Sequence, residues 1–181
     1  MEQTQIAGLQ LIQRKPMGDE RGYLERLFCT SDLEPLIGDR GIVQINHTLT
    51  AKAGTVRGMH FQHPPYAEMK LVSCLRGKVF DVTVDLRKNS PTFLHWHAEI
   101  LSEEGHRTLC IPEGFAHGFQ TLTEDCELIY FHTAAYAPDA EAGLNGLDPR
   151  LAITWPMPIA ERSVRDQQRA MLTSEFSGLS L

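Results

Sequence analysis

The sequence contains no apolar stretch near the ~20 residues that a membrane-spanning helix needs. Its first residues also lack the basic-then-apolar order of a secretory signal peptide. We therefore expect a cytoplasmic protein that does not associate with membranes.

Positive charge is also scarce, since 17 lysines and arginines stand against 23 acidic residues and the formal net charge at pH 7 is −6. Nucleic-acid binding requires a basic face, so we expect no nucleic-acid partner. A small anionic ligand remains compatible with this charge, because a few converging cations can bind one locally.

Closely spaced cysteines are absent as well. None of the four forms a CxxC pair, which argues against a thiolate metal site. Three of them lie in apolar, strand-like surroundings, so we interpret the cysteines as buried free thiols. They are Cys29, Cys74, Cys110 and Cys126.

Helical periodicity is nearly missing from the chain. Short runs of alternating or continuous apolar residues are separated by turn residues, a pattern typical of an antiparallel sandwich or barrel. Residues 6–13 are predicted to form the first strand, and residues 163–172 a short helix in the tail. Because the sequence has no internal repeat or linker, residues 1–181 are expected to form a single domain.

Residues 55–62 and 111–119 combine histidine and glycine with strand-like apolar residues, and we expect them to line a pocket. At period two, His60 and Gln62 share one strand face and Arg57 falls on the other. If Arg57 and His60 both point inward, a bulge at Gly58 must redirect the chain.

A metal site is the first hypothesis for these stretches, because cupin barrels bind metals through histidines at similar spacings. Residues 112–117 match the second half of the cupin pattern, but Thr121 stands where the pattern has its final asparagine. In the first half, His60 is followed by His63, one residue too far, and the two would point to opposite faces of a strand. The sequence thus resembles a cupin that has lost its metal ligands, and we expect no metal.

Seven short motifs in a fixed order resemble the dTDP-4-dehydrorhamnose 3,5-epimerase family, from about residue 6 to residue 166. The resemblance implies an all-β fold, a cupin-type antiparallel jelly-roll barrel with a short C-terminal helix. It also implies a homodimer, without cofactor or metal, that inverts C3 and/or C5 of a nucleotide-linked 4-keto-6-deoxyhexose for deoxysugar synthesis. The motifs are residues 19–22, 57–62, 70–72, 79–85, 90–93, 111–119 and 153–156.

The resemblance also implies roles for four catalytic residues. His60 corresponds to the base, and Asp166 to the carboxylate that orients it. Lys70 corresponds to the cation beside the C4 oxygen, and Tyr130 to the acid on the opposite face of the sugar. Asp166 has a simpler interpretation as well, because it is placed to take part in capping the tail helix from Ser163.

Further positions match residues that hold the nucleotide diphosphate in the family. Arginine suits this role because its planar fork meets phosphate oxygens bidentately. In the family, the N-terminal segment with the first arginine reaches into the other subunit's site. The substrate-binding positions are Arg21, Glu25, Gln44, Asn46, Arg57, His117 and Tyr136.

Two alternatives stay open at this point. One is a metal-dependent cupin oxygenase or isomerase that uses His60, Glu68 and His117. The other is a barrel that binds sugar nucleotides without turning them over. The sequence departs from the family pattern at residues 141–149 and at Arg165, which leaves the nucleotide and the sugar open.

Overall fold

The computed structural model describes all residues, 1–181, and contains two antiparallel sheets and a small hairpin. The strands are β1 (Glu2–Gln3), β2 (Gln10–Gln13), β3 (Met17–Asp19), β4 (Gly22–Leu24), β5 (Gln44–Thr50), β6 (Val56–Gln62), β7 (Lys70–Arg76), β8 (Lys78–Asp85), β9 (Trp96–Ser102), β10 (Arg107–Ile111), β11 (Phe115–Thr121), β12 (Cys126–His132) and β13 (Glu141–Gly143). The helices are α1 (Thr30–Ile37) and α2 (Val164–Gln167). The predicted all-β class, with antiparallel strands and a short C-terminal helix, is confirmed.

The strand order brings residues that are distant in sequence side by side. One sheet has the order β1-β2-β10-β7-β12-β5, and the other has the order β13-β6-β11-β8-β9. Strands β3 and β4 pair only with each other. Strand β6 therefore lies in one sheet, while β7 and β12 lie in the other.

Apolar side chains fill the space between the two sheets and cover both outer faces. The inner cluster takes Val72 and Leu109 from one sheet and Val79 and Phe119 from the other. Helix α1 packs against the outer face of the six-stranded sheet. The C-terminal segment covers the outer face of the five-stranded sheet, with Leu179 in that cluster.

Strand β8 shows how a polar strand face becomes buried. Its apolar residues Val82 and Val84 face the C-terminal segment, in accord with the period-two reading of the sequence. On its other face, Asp81, Thr83 and Asp85 are fully buried. Buried carboxylates need hydrogen-bond partners, so this face must supply polar contacts inside the molecule.

Two sequence-based boundaries are wrong. The first strand is limited to Gln10–Gln13, because the chain turns at Gly8, whose φ is +83°. The tail helix spans only Val164–Gln167 instead of residues 163–172. Val164 is 68% exposed, and the one apolar side chain of this segment that packs against the barrel, Leu172, lies beyond the end of the helix. Neither helix of the structure has the length and hydrophobicity needed to cross a bilayer.

The four cysteines are free thiols, and three of them are buried. Burial raises the pKa of the Cys110 thiol to about 12, and it does the same for Cys74 with help from the neighbouring Cys126. These buried thiols are therefore protonated at neutral pH, as expected for structural cysteines. Cys29 is half-buried.

Candidate active site

A cavity of about 210 Å³ opens between the two sheets. Both sheets contribute to its wall, and most of the lining side chains are polar. A second cavity, of about 390 Å³, adjoins it through Arg57 and His60 and reaches Asp166. The first is lined by Asn46, Thr48, Arg57, His60, Lys70, His117, Gly118, Phe119, Tyr130 and His132.

His60 and Asp166 make the shortest histidine–carboxylate contact in the cavity. His60 Nε2 lies 2.6 Å from Asp166 Oδ1, and the carboxylate is 4% exposed. The Gly58 N–H donates to Asp166 Oδ2 over 3.3 Å, so both carboxylate oxygens have a partner. Burial raises the pKa of Asp166, but the hydrogen bond and charge of His60 outweigh it and the pKa is lowered. Asp166 is therefore ionised at neutral pH.

Helix α2 positions this carboxylate. Ser163 is its N-cap, and the Ser163 Oγ accepts a hydrogen bond from the Asp166 N–H over 3.0 Å. The backbone of Asp166 thus belongs to the capping arrangement, while its side chain points to His60. The capping role expected from the sequence thus applies to the Asp166 backbone, and the contact with His60 is made by its side chain.

A bulge in β6 brings Arg57 and His60 to the same cavity. His60 pairs with His117 in β11, whereas Arg57 pairs with Phe119. Three steps along β6 therefore oppose two steps along β11, so β6 carries one extra residue. The predicted bulge is confirmed.

Gly58→Ala should destabilise the protein by about 2–4 kcal/mol, because a methyl group cannot fit at this bulge. A Cβ on Gly58 would lie 2.5 Å from Gly118 Cα and 2.8 Å from the His117 carbonyl oxygen, at a φ of +120°. Thermal or urea denaturation measures the loss. Gly22→Ala is the matched control, since Gly22 has a φ of +127° but nothing within 4 Å of its Cβ. Equal losses in the two variants would contradict the steric account.

Tyr130 faces the cavity from β12, on the sheet opposite to His60. Its side chain is buried, and its ring lies edge-on to His117 with 6.1 Å between ring centroids. Burial and the nearby charge of Asp81 raise the pKa of the Tyr130 phenol above its ordinary value. The hydroxyl therefore keeps its proton at neutral pH and can donate it.

His117 forms a second histidine–aspartate pair. Its Nε2 lies 2.9 Å from both oxygens of Asp81, which is fully buried. Asp81 pairs with His117 and not with Lys70, because β8 and β11 are neighbours and His117 lies opposite Thr83, two residues from Asp81 on the same strand face.

Lys70 instead pairs with Glu68, over 3.0 Å from Nζ to Oε1. Glu68 Oε2 also lies 3.3 Å from His132 Nδ1. No sequence motif assigns a role to His132, yet His132 lines the cavity and stacks on Tyr130. The spacing of the sequence does indicate this position, because Tyr130 and His132 are two residues apart on one strand face.

Comparison with known proteins identifies the family. The family model described as dTDP-4-dehydrorhamnose 3,5-epimerase matches residues 3–174. The chain belongs to this family. A dTDP-4-dehydrorhamnose 3,5-epimerase from Salmonella typhimurium is 42% identical over 171 residues, which are 93% of each chain.

Solved structures of the family have the same fold. A dTDP-6-deoxy-D-glucose-3,5-epimerase from Legionella pneumophila, in complex with dTDP-4-keto-L-rhamnose, superposes with a TM-score of 0.91 at 38% identity and covers 99% of this chain and 97% of its own. A 3'-monoepimerase from Streptomyces bikiniensis, in complex with dTDP-quinovose, gives a TM-score of 0.87 at 31% identity, over 94% and 87% of the two chains. The protein is therefore an isomerase of the nucleotide-sugar epimerase type, and its barrel is the cupin type of the family.

Three of the family-matched binding positions meet at the edge strand β5. Gln44 Nε2 donates to Asn46 Oδ1 over 3.2 Å, and Gln44 Oε1 accepts from the Tyr136 N–H over 2.9 Å. The Tyr136 hydroxyl donates to Glu141 Oε2 over 2.6 Å, and Arg165 also pairs with Glu141. Tyr136 is 52% exposed, so its ring is available at the rim of the site.

Arg21 and Glu25 lie away from the cavity of their own chain. Arg21 is on the β3–β4 hairpin, where its side chain is 85% exposed and pairs with Asp19. The Glu25 side chain is 9% exposed and contacts His106 Nδ1 at 2.8 Å and Arg14 Nε at 3.4 Å. Within a single chain, neither residue joins the family-matched set around His60.

The three ligands of the metal hypothesis do not form one cluster. His60 faces Asp166, His117 faces Asp81, and Glu68 faces Lys70 and His132. No three histidine, cysteine, aspartate or glutamate side chains are grouped so that they could hold an ion. The three residues thus take part in separate side-chain contacts.

Proposed function

We propose that this protein inverts C3, C5 or both of a dTDP-linked 4-keto-6-deoxyhexose, and that it uses no metal or cofactor. The observation that carries the proposal is the 2.6 Å contact of His60 with Asp166 in a cavity that Tyr130 enters from the facing sheet. A base and an acid on opposite walls are what an inversion through a planar intermediate requires.

His60 removes the proton in this proposal. A C–H bond next to the C4 ketone is acidic, because its electron pair can move onto the ketone oxygen as an enolate. His60 Nε2 contacts Asp166, so Nδ1 is the nitrogen that takes the proton. The ionised Asp166 then stabilises the imidazolium that forms.

Lys70 and Tyr130 complete the reaction. The Lys70 ammonium stabilises the negative charge on the enolate oxygen. Tyr130 donates its proton to the carbon from the other face, the C=C bond of the enolate gives up its electron pair to the new C–H bond, and the ketone reforms. Solvent returns a proton to Tyr130, and His60 releases its proton to solvent.

The nucleotide diphosphate would lie toward β5 and Arg57. Arg57 offers a guanidinium to the phosphates, and His117, Asn46 and Gln44 offer polar contacts. The exposed Tyr136 ring is placed to contact the base or the sugar. The dTDP ligands in related structures support the choice of thymidine.

We infer a homodimer in which Arg21, on the β3–β4 hairpin of each chain, and Glu25, directly after the hairpin, complete the other chain's site. Apolar residues support this: Tyr23 and Leu24 on the hairpin are 64% and 65% exposed, and Ile45 and Leu49 on edge strand β5 are 58% and 54% exposed. Exposed apolar residues on an edge strand favour pairing with another chain.

We also propose a single-domain organisation and a cytoplasmic location. Residues 1–181 would act as one cupin-like epimerase domain. Free thiols at all four cysteines suit the reducing cytoplasm, where nucleotide sugars are made.

The test is turnover of dTDP-4-keto-6-deoxyglucose by protein that was dialysed against a chelator, followed by proton NMR of the sugar. The proposal expects inversion at C3 or C5 with undiminished rate after dialysis. Activity that disappears with the chelator and returns with one metal would favour the metal-dependent alternative. Binding of the sugar nucleotide without any inversion would favour the non-catalytic alternative.

Tyr130→Phe should lower the rate of inversion by roughly 10²–10³-fold, because the donor on the second face is lost. The hydrogen next to the ketone should still exchange with deuterated water, since His60 and Asp166 are intact. NMR in deuterated water measures both rates in one sample. Equal losses of exchange and inversion would contradict the assignment of Tyr130 as the acid.

A further inference from the structure

Glu68 lies behind the cavity wall, two residues before Lys70. It does not line the cavity, but it contacts two residues that do, Lys70 and His132. These two are also paired in register across β7 and β12. The side chains of Glu68, Lys70 and His132 are 9%, 10% and 10% exposed, so one buried carboxylate bridges two neighbouring strands.

The carboxylate of Glu68 is itself held in place. Gln62 Nε2 donates to Glu68 Oε2 over 3.2 Å and to the Tyr66 carbonyl over 2.9 Å. Gln62 Oε1 accepts from the Ala137 N–H over 2.7 Å, which fixes the orientation of the amide. Glu68 therefore has a defined position before any substrate arrives.

Glu68 also carries a charge. Burial raises its pKa, but the hydrogen bond from His132 and the charge of Lys70 outweigh this, and the pKa is lowered. An ionised, buried carboxylate beside an ammonium forms a strong charge-assisted hydrogen bond. It occupies one of the three N–H donors of Lys70 and leaves two for a ligand.

We infer that Glu68 is a positioning residue that aims the Lys70 ammonium at the oxygen of the substrate ketone. The inference rests on the proposed function, in which Lys70 stabilises the enolate. Electrostatic stabilisation needs a charge that is in place before the transition state forms. A lysine has a long flexible side chain, and a fixed carboxylate at its end restricts the positions of Nζ.

A double-mutant cycle tests whether Glu68 acts through Lys70. The variants are Glu68→Gln, Lys70→Met and the double variant, and the readouts are kcat and KM for exchange and inversion of the sugar nucleotide. Glutamine keeps the size of the side chain but removes its charge. Glu68→Gln should lower kcat by roughly 10–30-fold with KM within about threefold, and Lys70→Met should lower kcat by about 10²–10³-fold.

The double variant distinguishes a role of Glu68 through Lys70 from a role in supporting the fold. If Glu68 acts through Lys70, the double variant should have the kcat of Lys70→Met within about threefold. If Glu68 only supports the fold, its effect should multiply that of Lys70→Met, and that result would overturn the inference. Glu99→Gln is the matched control, because Glu99 pairs with Arg107 at 2.6 Å away from the cavity, and it should keep the wild-type kcat.

Activity of the wild-type protein separates a failure of the proposed function from a failure of the role of Glu68. A wild-type protein that neither exchanges nor inverts any 4-keto-6-deoxy sugar nucleotide would overturn the proposed function, and this inference with it. An active wild type with multiplicative effects in the cycle would overturn only the role of Glu68.

Discussion

His60→Ala should lower both the inversion of the sugar and its hydrogen exchange by about 10³–10⁴-fold, because the imidazole that removes the proton is lost. Exchange and inversion fall together, since both begin with removal of the same proton. Proton NMR of the sugar in deuterated water gives the two rates. Affinity for dTDP, measured by calorimetry, should change little, because Arg57 and the β5 residues remain.

His63→Ala is the control for this variant. His63 follows β6 directly and packs edge-on against Phe61, but it does not line the cavity. It should keep the wild-type rates. A His60→Ala protein that is folded, binds dTDP and still exchanges hydrogen at the wild-type rate would rule out His60 as the base.

Asp166→Asn should lower the inversion rate by roughly 10³–10⁴-fold while the fold is kept. An asparagine amide can donate to His60 Nε2, and the imidazole then carries its proton on Nδ1, the nitrogen that must accept one. The neutral amide also leaves the imidazolium without its counter-charge. Steady-state kinetics and a thermal melt of the same sample separate the catalytic effect from a folding defect.

The pH dependence of stability gives an independent check on Asp166. Its pKa in the folded protein is lowered, so the unfolded chain binds a proton more readily at this residue. The stability that the ionised carboxylate contributes is fully present above the unfolded pKa of about 3.9 and is lost as the pH falls through the lower folded pKa. The difference in melting temperature between wild type and Asp166→Asn should therefore shrink as the pH falls below about pH 4.

The strands could be predicted from the sequence because their signal is local. Alternation at period two locates β8 and β12, and the spacing of Arg57 and His60 even predicts the bulge at Gly58. The predicted tail helix, residues 163–172, is too long, because a helical pattern does not show which residues pack against the rest of the protein. In the structure, the helix ends at Gln167, and Leu172 packs against the barrel from the irregular chain beyond it.

The site could be predicted only as a set of candidates. Motifs suggest His60 and Asp166, but their contact spans 106 residues and depends on how the tail returns to β6. Glu68 and Asp81 have ordinary spacings, so only the strand order shows which partner each one meets. In the proposed homodimer Arg21 and Glu25 would act in a second chain, and a single sequence does not describe how two chains meet.

Deuterium content at the inverted carbon tests the central claim most directly. Wild-type protein converts dTDP-4-keto-6-deoxyglucose in deuterated water, and mass spectrometry and NMR locate the label in the product. Removal by His60 and return from the opposite face predict one solvent deuterium at each carbon that has inverted. An inverted carbon that keeps its original hydrogen would contradict the account.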